Sequence, residues 1–366
     1  MTQSIPNKIL ALVLPQFGYA IESCHISLLG NGLINNTYLV KTADKTFVLQ
    51  RLNQQVFNAP LQVTNNADLI SSHLKLKSEN KNYALTPVYQ LRSNDDNNYV
   101  KVQEQYWRSL DYIPHCYTVE SITNVEQASA VANAFAQFTN ALSDFNSENL
   151  AEIIAQFHDL SMRIKQFEQA IEQSSDKLLI SAQTSVEFIQ SQDIFIKSIA
   201  EITKKLPLRV THNDTKINNL LFSKETNKPI AVIDLDTCMA GYLMHDFGDM
   251  VRTCCASIAE DSDDLDNMTI DFEMIMALTN AYVAGFNGSL STIEQKSLLF
   301  GIKLMPFMLS IRFLTDFLNG DIYFKTTYAT HNLVRAKNQL HLYKLFCQQE
   351  ALLTEIVLST PVSPVS

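Results

Sequence analysis

Thr211-His212-Asn213-Asp214-Thr215-Lys216-Ile217-Asn218-Asn219-Leu220-Leu221-Phe222, followed after a polar turn by Ile230-Ala231-Val232-Ile233-Asp234-Leu235-Asp236, is the stretch that decides the fold. Residues 220–222 and 230–233 are short apolar runs flanked by turn-forming residues, and they read as two strands of a hairpin. Asn219 lies five residues after Asp214, and Asp234 lies twenty after it, past the hairpin. The hairpin returns the chain to its start, so three oxygen-bearing side chains can converge. Phosphoryl transfer asks for such a set: a carboxylate at the acceptor hydroxyl, and oxygen ligands that hold Mg²⁺ against the phosphates. A buried polar turn is the competing account, but it explains neither the joint spacing nor the apolar flanks.

Outward from this stretch the pattern is asymmetric. Residues 26–57 alternate apolar and polar residues, with turn signals at Gly30-Asn31-Gly32 and Ala43-Asp44, and read as strands. Residues 60–77 carry Leu61, Ala67, Ile70 and Leu74 on one helical face. Residues 83–113 return to strand character, with a polar hairpin expected around Asn94-Asp95-Asp96-Asn97-Asn98. From about residue 120 the pattern is helical, most clearly over residues 125–142 and 149–173. After the hairpin it is helical again to about residue 355, and residues 298–318 read as a buried helix pair. The expected fold is α+β: a β-rich N-terminal lobe over 1–112 and a larger, mainly α-helical lobe over 113–366.

Composition narrows the function. The 366 residues are 46% hydrophobic, enough for a sizeable core. The net charge of -10 argues against nucleic acid as a partner, but a nucleotide remains acceptable where a metal ion and local dipoles reverse the field. Six cysteines show neither a C-x-x-C pair nor zinc spacing and read as reduced thiols of a cytoplasmic protein. The apolar run at residues 9–14 stops at Pro15, and residues 298–318 include Lys303, Pro306, Arg312 and Asp316. Neither a signal peptide nor a membrane span is expected.

His212-Asn213-Asp214 with Asn219, and Ile233-Asp234, resemble the catalytic and metal-binding motifs of the aminoglycoside phosphotransferase and choline kinase superfamily. The resemblance implies a protein-kinase-like two-lobe fold, with ATP as co-substrate and Mg²⁺ as cofactor. It makes Asp214 the catalytic base, and Asn219 and Asp234 the magnesium ligands. Five further stretches look like the N-acetylhexosamine 1-kinase branch. They are Gly32-Leu33-Ile34-Asn35-Asn36-Thr37-Tyr38, Leu49-Gln50-Arg51-Leu52-Asn53, Arg312-Phe313-Leu314-Thr315-Asp316, Gly320-Asp321-Ile322-Tyr323-Phe324 and Asn332-Leu333-Val334-Arg335-Ala336-Lys337-Asn338-Gln339-Leu340. By resemblance Asp236, Arg312 and Tyr323 are candidates for binding the acceptor; Asp236 could equally support the metal ligands from behind.

Gly30, Gly32, Asn35 and Asn36 belong to a glycine loop whose backbone N–H groups suit nucleotide phosphates. Two departures stand out. Leu33 occupies a position where members of the branch often carry histidine. The lysine expected on the third strand is also absent, leaving Gln50 or Arg51 to do its work, and a Gln50–Asn66 hydrogen bond would be self-consistent. Trp107 is assigned to core packing. Asp246-Phe247-Gly248 spells the kinase metal motif, but it lies 32 residues after Asp214, and Asp234 already fills that role. Asp246 is expected to support the catalytic loop instead, and Glu260-Asp261-Ser262-Asp263-Asp264 to be a solvated loop. The expected activity is phosphorylation of the anomeric hydroxyl of an amino sugar. Kinases of aminoglycosides, choline or homoserine, and an inactive pseudokinase, are the alternatives.

Overall fold

The computed structural model describes residues 7–30 and 35–361, so Gly32 and Leu33 lie outside the described residues. In chain order the elements are α1 (Asn7–Val13), β1 (His25–Leu28), β2 (Asn36–Lys41), β3 (Thr46–Arg51), α2 (Pro60–Glu79), β4 (Gln90–Leu91), β5 (Val100–Val102), β6 (Gln105–Asp111) and β7 (Cys116–Tyr117). There follow α3 (Val125–Ala141), α4 (Leu160–Gln173), α5 (Asp176–Gln190), α6 (Asp193–Thr203), β8 (Arg209–Thr211), β9 (Leu220–Ser223), β10 (Pro229–Val232) and β11 (Met239–Gly241). The chain closes with α7 (Leu243–Cys254), α8 (Phe272–Gly285), α9 (Thr292–Leu318), α10 (His331–Gln348) and α11 (Glu350–Ser359). The architecture is α+β, a small antiparallel β-rich N-terminal region with a mostly helical remainder. It divides into two compact units, each discontinuous in sequence.

The first unit comprises residues 1–119, 141–155 and 219–240. Its main sheet runs β1-β2-β3-β6-β4, with β5 also pairing to β6. Strand alternation sends Phe47 and Leu49 of β3 into a core with Leu10, Val13, Leu14, Tyr38, Val40 and Trp107. Trp107 is fully buried, as assigned. β9 and β10 form the expected hairpin, in a second sheet ordered β10-β9-β7. The first sheet corrects one expectation. The hairpin turn falls at Gln103 and Glu104, both left-handed (φ 49° and 61°), between β5 and β6. Two consecutive residues of positive φ twist a tight turn in the sense that the strands require. The polar segment around Asn94 only interrupts an edge, since β4 and β5 both pair with β6.

The second unit comprises residues 120–140, 156–218 and 241–366. Its axis is α9, packed by α4, α7 and α10. Here two expectations are corrected. Residues 150–159 are not helical: Gln156 is left-handed (φ 52°), and α4 starts only after Asp159, whose carboxylate accepts from the Ser161 and Met162 amides. Residues 298–318 are not a helix pair but lie in one 27-residue helix that contains Pro306. An interior proline costs about 3 kcal/mol, which burial on several sides of α9 offsets. By length and composition α9 could cross a membrane, yet 72% of its apolar window is buried in the protein. A capping box starts it, with Ser291 Oγ accepting from the Glu294 amide and the Glu294 carboxylate accepting from the Ser291 amide. Glu294 also accepts from Arg209 Nε at 2.7 Å, which fixes β8 at the entry to the His212–Asp214 segment.

α7 and α9 meet backbone to backbone. A Cβ on Gly248 would stand 2.1 Å from the Gly301 carbonyl oxygen, and one on Gly301 would stand 2.0 Å from the Met244 carbonyl oxygen. Replacing Gly301 by alanine in an exposed helix would stabilise by up to about 1 kcal/mol; here the steric effect wins. Gly301→Ala should destabilise the fold by about 3 kcal/mol, read as a fall in the denaturant midpoint. An unchanged midpoint would mean that the two helices can separate freely.

Candidate functional site

In the second unit, β8 delivers the chain to a tight loop held from below by α7. The Asp246 carboxylate accepts from the His212 amide at 2.8 Å and the Asn213 amide at 2.7 Å, and its carbonyl accepts from Thr215 Oγ1 at 2.7 Å. Asp246 is buried; desolvation pushes its carboxyl up to about 7, with the two amide donors pulling the other way. It has the supporting role read from the sequence. Asn213 is left-handed (φ 63°), a conformation asparagine tolerates better than most residues. A side chain at Gly241 would collide with Thr211 Oγ1 at 2.3 Å, so glycine allows that close approach. His212 is fully buried, edge-on to Phe135 and Phe138, and packs the loop.

Asp214 emerges from this loop part-exposed, with Lys216 Nζ 2.8 Å from Oδ1. Burial pulls the Lys216 ammonium down, but the Asp214 and Asp249 carboxylates outweigh it and hold the pKa above its usual value. A carboxylate beside a fixed ammonium is poised to accept a proton or a hydrogen bond from an incoming hydroxyl. The sequence reading missed Lys216, although its place two residues after the proposed base was the available signal.

Asn219 and Asp234 belong to the first unit. The Ile233 amide donates to the Asn219 carbonyl at 2.9 Å, so the hairpin brings the two residues' backbones together. Asp234 is left-handed (φ 60°, ψ 57°), costly for a residue other than glycine and typical of positions where function fixes the backbone. Asp236, two residues on, is buried and ion-paired to Arg108 at 2.5 Å, and it accepts from Asn35 Nδ2 at 2.7 Å. Asn66 of α2 holds the end of this turn by donating to the Cys238 carbonyl at 3.1 Å. The expected Gln50–Asn66 bond is therefore absent. Asn66 is engaged with Cys238 and Ala151, whereas Gln50 donates to Thr37 Oγ1 and accepts from Arg108 Nε at 2.9 Å.

Arg108 stands directly opposite Gln50 in the β3–β6 register, so both share one face. It is the cation the sequence reading missed while searching β3 for a lysine. The signal was an arginine in the middle of a strand, next to Trp107, where a charge that turns inward needs a partner. Arg51 bonds instead to Asn36 Oδ1 at 3.1 Å, and Asn35 Oδ1 accepts from the Asn53 amide. Gly30 is left-handed (φ 67°) in open space. Among the described residues no three or more His, Cys, Asp or Glu side chains cluster as a metal site.

Arg312 and Tyr323 come together in the second unit. The Arg312 guanidinium lies over the rings of Phe157, Tyr323 and Phe324, 5.2 to 6.0 Å from their centroids. Asp316 sets the loop: its carboxylate accepts from the Ile322, Tyr323 and Phe324 amides and from Asn332 Nδ2. Burial lowers the pKa of Arg312; burial and then Arg312 itself lower that of Arg163, to about 10. Among the described residues neither guanidinium has a carboxylate within ion-pair distance.

The second unit also holds a cavity of about 300 Å³, lined by Lys216, Asn218, Arg252, Glu260, Asn338 and Gln339 among others. Arg252 is buried and paired to Asp249 and Glu260, so Glu260 is not part of a merely solvated loop. Two cations, Lys216 and Arg252, and two carboxylates, Glu120 and Glu260, line the cavity, and Asp214 and Asp249 pair with the two cations. Among the described residues no aromatic ring lines the cavity.

Residues 25–268 match the model of the phosphotransferase enzyme family. Among solved structures, an aminoglycoside phosphotransferase from Alicyclobacillus acidocaldarius is similar at a TM-score of 0.64 and 13% identity, covering 98% of each chain. A choline kinase from Cryptosporidium parvum matches at 0.54 and 12% identity, covering 90% of this chain and 92% of that one. The ADP-bound aminoglycoside phosphotransferase APH(2'')-Ib matches at 0.51 and 15% identity, covering 93% and 99%. At these identities the likeness shows a shared fold, the kinase-like one.

Two histidines make the second unit acid-sensitive. Burial holds His245 down to about 4 from 6.5, and His158 is lowered by burial, then by His245 and Arg312. Both are neutral in the folded protein and take up protons more readily when unfolded, so the stability they contribute is present above pH 6.5 and is lost as pH falls toward 4. The melting temperature should drop across that window, and His245→Phe should flatten the drop. A slope that His245→Phe leaves unchanged would assign the acid sensitivity elsewhere.

Proposed function

The chain belongs to the phosphotransferase enzyme family, and from that premise we propose that it transfers the γ-phosphoryl group of ATP to the anomeric hydroxyl of an N-acetylhexosamine. That it is a phosphotransferase acting on a small-molecule alcohol follows from the family and the fold; the acceptor is the proposal. The observation that carries it is the cavity beside Lys216. Its volume of about 300 Å³ lies at the small end of ligand clefts and suits one sugar ring better than a multi-ring aminoglycoside. Among the described residues no aromatic ring lines the cavity, so the quaternary ammonium of choline lacks the aromatic wall it needs. A neutral, hydroxyl-rich acceptor fits the polar lining. A second reading, homoserine, is favoured by one feature only: the Arg163–Arg312 pair without a carboxylate, which would suit the acid group of an amino acid.

Asp214 is the base in this reading. An anomeric hydroxyl is more acidic than an ordinary alcohol, so modest basicity suffices, and Lys216 keeps the carboxylate in place. Asn219 and Asp234 would hold Mg²⁺. A hard cation of this kind takes oxygen ligands and keeps several waters, and a carboxamide and a carboxylate on one hairpin are a donor set that fits. When bound, the ion neutralises charge on the phosphates. Gly30, Asn35, Gln50 and Arg51 remain proposed nucleotide-side residues, now with Arg108, and the ADP-bound relative supports ATP as co-substrate. Arg312 and Tyr323 remain acceptor-side candidates. Asp236, already paired to Arg108, is better read as holding the turn that presents Asp234.

Three experiments test this. Asp214→Asn should cut turnover by about 10²–10⁴ and leave ATP affinity near normal; near-normal turnover would remove Asp214 from the base role. Asp234→Ala should abolish both activity and the tightening of ATP binding by Mg²⁺, and a preserved magnesium effect would put the metal elsewhere. The acceptor is decided by assaying N-acetylglucosamine, N-acetylgalactosamine, glucose, galactose, kanamycin, choline and homoserine. The sugar 1-phosphate would be acid-labile and alkali-stable and would have lost its reducing end. Turnover of choline, kanamycin or homoserine with no sugar product would overturn the sugar reading.

A further inference from the structure

Asn35 stands immediately before β2, on the returning arm of the β1–β2 hairpin, and is buried. The orientation of its carboxamide is forced. Oδ1 accepts from the Asn53 amide at 3.0 Å, and Nδ2 donates to Asp236 Oδ2 at 2.7 Å. A backbone amide only donates, and a carboxylate paired with a guanidinium only accepts, so exchanging the oxygen and nitrogen would spoil both bonds. A second route leaves the same arm two residues later. Thr37 Oγ1 accepts from Gln50 Nε2 at 3.1 Å, and Gln50 Oε1 accepts from Arg108 Nε at 2.9 Å. The Arg108 guanidinium then pairs with Asp236 Oδ1 at 2.5 Å. The two routes end on the two oxygens of one carboxylate. They close a ring of side chains between the hairpin and the short turn Leu235–Thr237, which Asp234 opens. All of its members belong to the first unit. To reach a phosphate, Asn35 would have to abandon both bonds, which places it behind the nucleotide site rather than in it.

We propose that Asn35 is a positioning residue that couples the β1–β2 hairpin to the turn bearing Asp234, so that nucleotide phosphates at the hairpin and Mg²⁺ at the turn strengthen each other's binding. This rests on the reading of the hairpin as nucleotide-side and of Asp234 as a magnesium ligand, and adds to it a dependence of one on the other. The physical ground is the ring. A ligand that immobilises one end of it reduces the conformational entropy still to be lost when the other end is fixed. The coupling is reciprocal: the factor by which magnesium tightens ATP is the factor by which ATP tightens magnesium. Without Asn35 the hairpin keeps only the longer route through Thr37, Gln50 and Arg108, in which each side chain adds its own rotamer freedom. No bond is made or broken at Asn35, which acts only through Asp236 and the turn.

The test measures ATP affinity by calorimetry with Mg²⁺ and with EDTA, and takes the ratio of the two. Asn35→Ala should lower that ratio at least about fivefold and leave the metal-free affinity within about twofold of the wild type. Asn35→Asp, which sets a second carboxylate against Asp236, should lower it further. The exchanged pair, Asn35→Asp with Asp236→Asn, puts a donor and an acceptor back in the same place and should recover most of the ratio. A general loosening of the fold would weaken ATP equally with and without the metal. An unchanged ratio in Asn35→Ala, or one that the exchanged pair does not recover, therefore overturns the proposal. Melting temperatures show which variants fold, and Thr37→Val, which opens the ring at Gln50, replaces Asn35→Ala if that variant does not. Hydrogen exchange separates the coupling from the metal assignment. ATP in EDTA should slow amide exchange across residues 235–238 of the wild type and leave it unslowed in Asn35→Ala. If Asp234→Ala keeps the magnesium effect, the metal assignment fails by itself, and exchange decides. Protection lost in Asn35→Ala then upholds the coupling of hairpin and turn; protection absent from the wild type, or retained in the variant, overturns it.

Discussion

The Asp246 carboxylate accepting two consecutive backbone amides is the interaction on which the rest of the catalytic unit depends. His212 and Asn213 cannot bond to a neighbouring strand while the chain turns left-handed at Asn213, and two buried amides without acceptors would each cost about 1–3 kcal/mol. One carboxylate on the first turn of α7 satisfies both. That is possible only because α7 is pressed onto α9 through Gly248 and Gly301, with no side chain between their backbones. A steric constraint in the helical core, far from Asp214 in sequence, thus sets where Asp214 stands. The same clamp explains why Asp246-Phe247-Gly248 resembles a metal motif in letters without being one: its aspartate faces amides, and its glycine serves helix packing.

The first unit solves a parallel problem with different groups. In a kinase-like fold a strand lysine and a helix glutamate ordinarily connect the sheet to the nucleotide. β3 carries no lysine, and the one glutamate of α2, Glu79, is its last residue. A buried network here runs from Arg108 on β6 to Asp236, with Gln50 and Asn35 completing the hydrogen bonds, and α2 joins it through Asn66 at Cys238. A buried pair of this kind is not in itself a large source of stability, because desolvation consumes most of the attraction. Its value lies in direction: Asp236 is tied at both oxygens, so the turn before it has few ways to relax, and Asp234 stays in a left-handed conformation it would not choose alone.

Where the sequence was legible, the signal was local. The β9–β10 hairpin, α2, α3 and the β1–β3 meander each follow from turn chemistry and periodicity within a dozen residues, and Asp246 was kept out of the metal role because Asp234 already fills it. What failed was decided by partners distant in sequence. Periodicity ran on through residues 149–159 because the capping of α4 by Asp159 and the left-handed Gln156 leave little trace in a hydrophobic pattern. Pro306 suggested two helices because the burial that offsets it comes from α4, α7 and α10. Arg108 went unassigned because its place opposite Gln50 is set by the β3–β6 register, which pairs residues 58 positions apart.

The same distinction bears on the acceptor. Arg312, Tyr323 and Asp236 were singled out together because they share a motif pattern, yet they meet different fates. Arg312 and Tyr323 do touch, brought there by Asp316, which gathers three successive amides of the 322–324 loop. Asp236 has both oxygens engaged with Arg108 and Asn35, so it would have to give up a buried ion pair to bind a sugar hydroxyl.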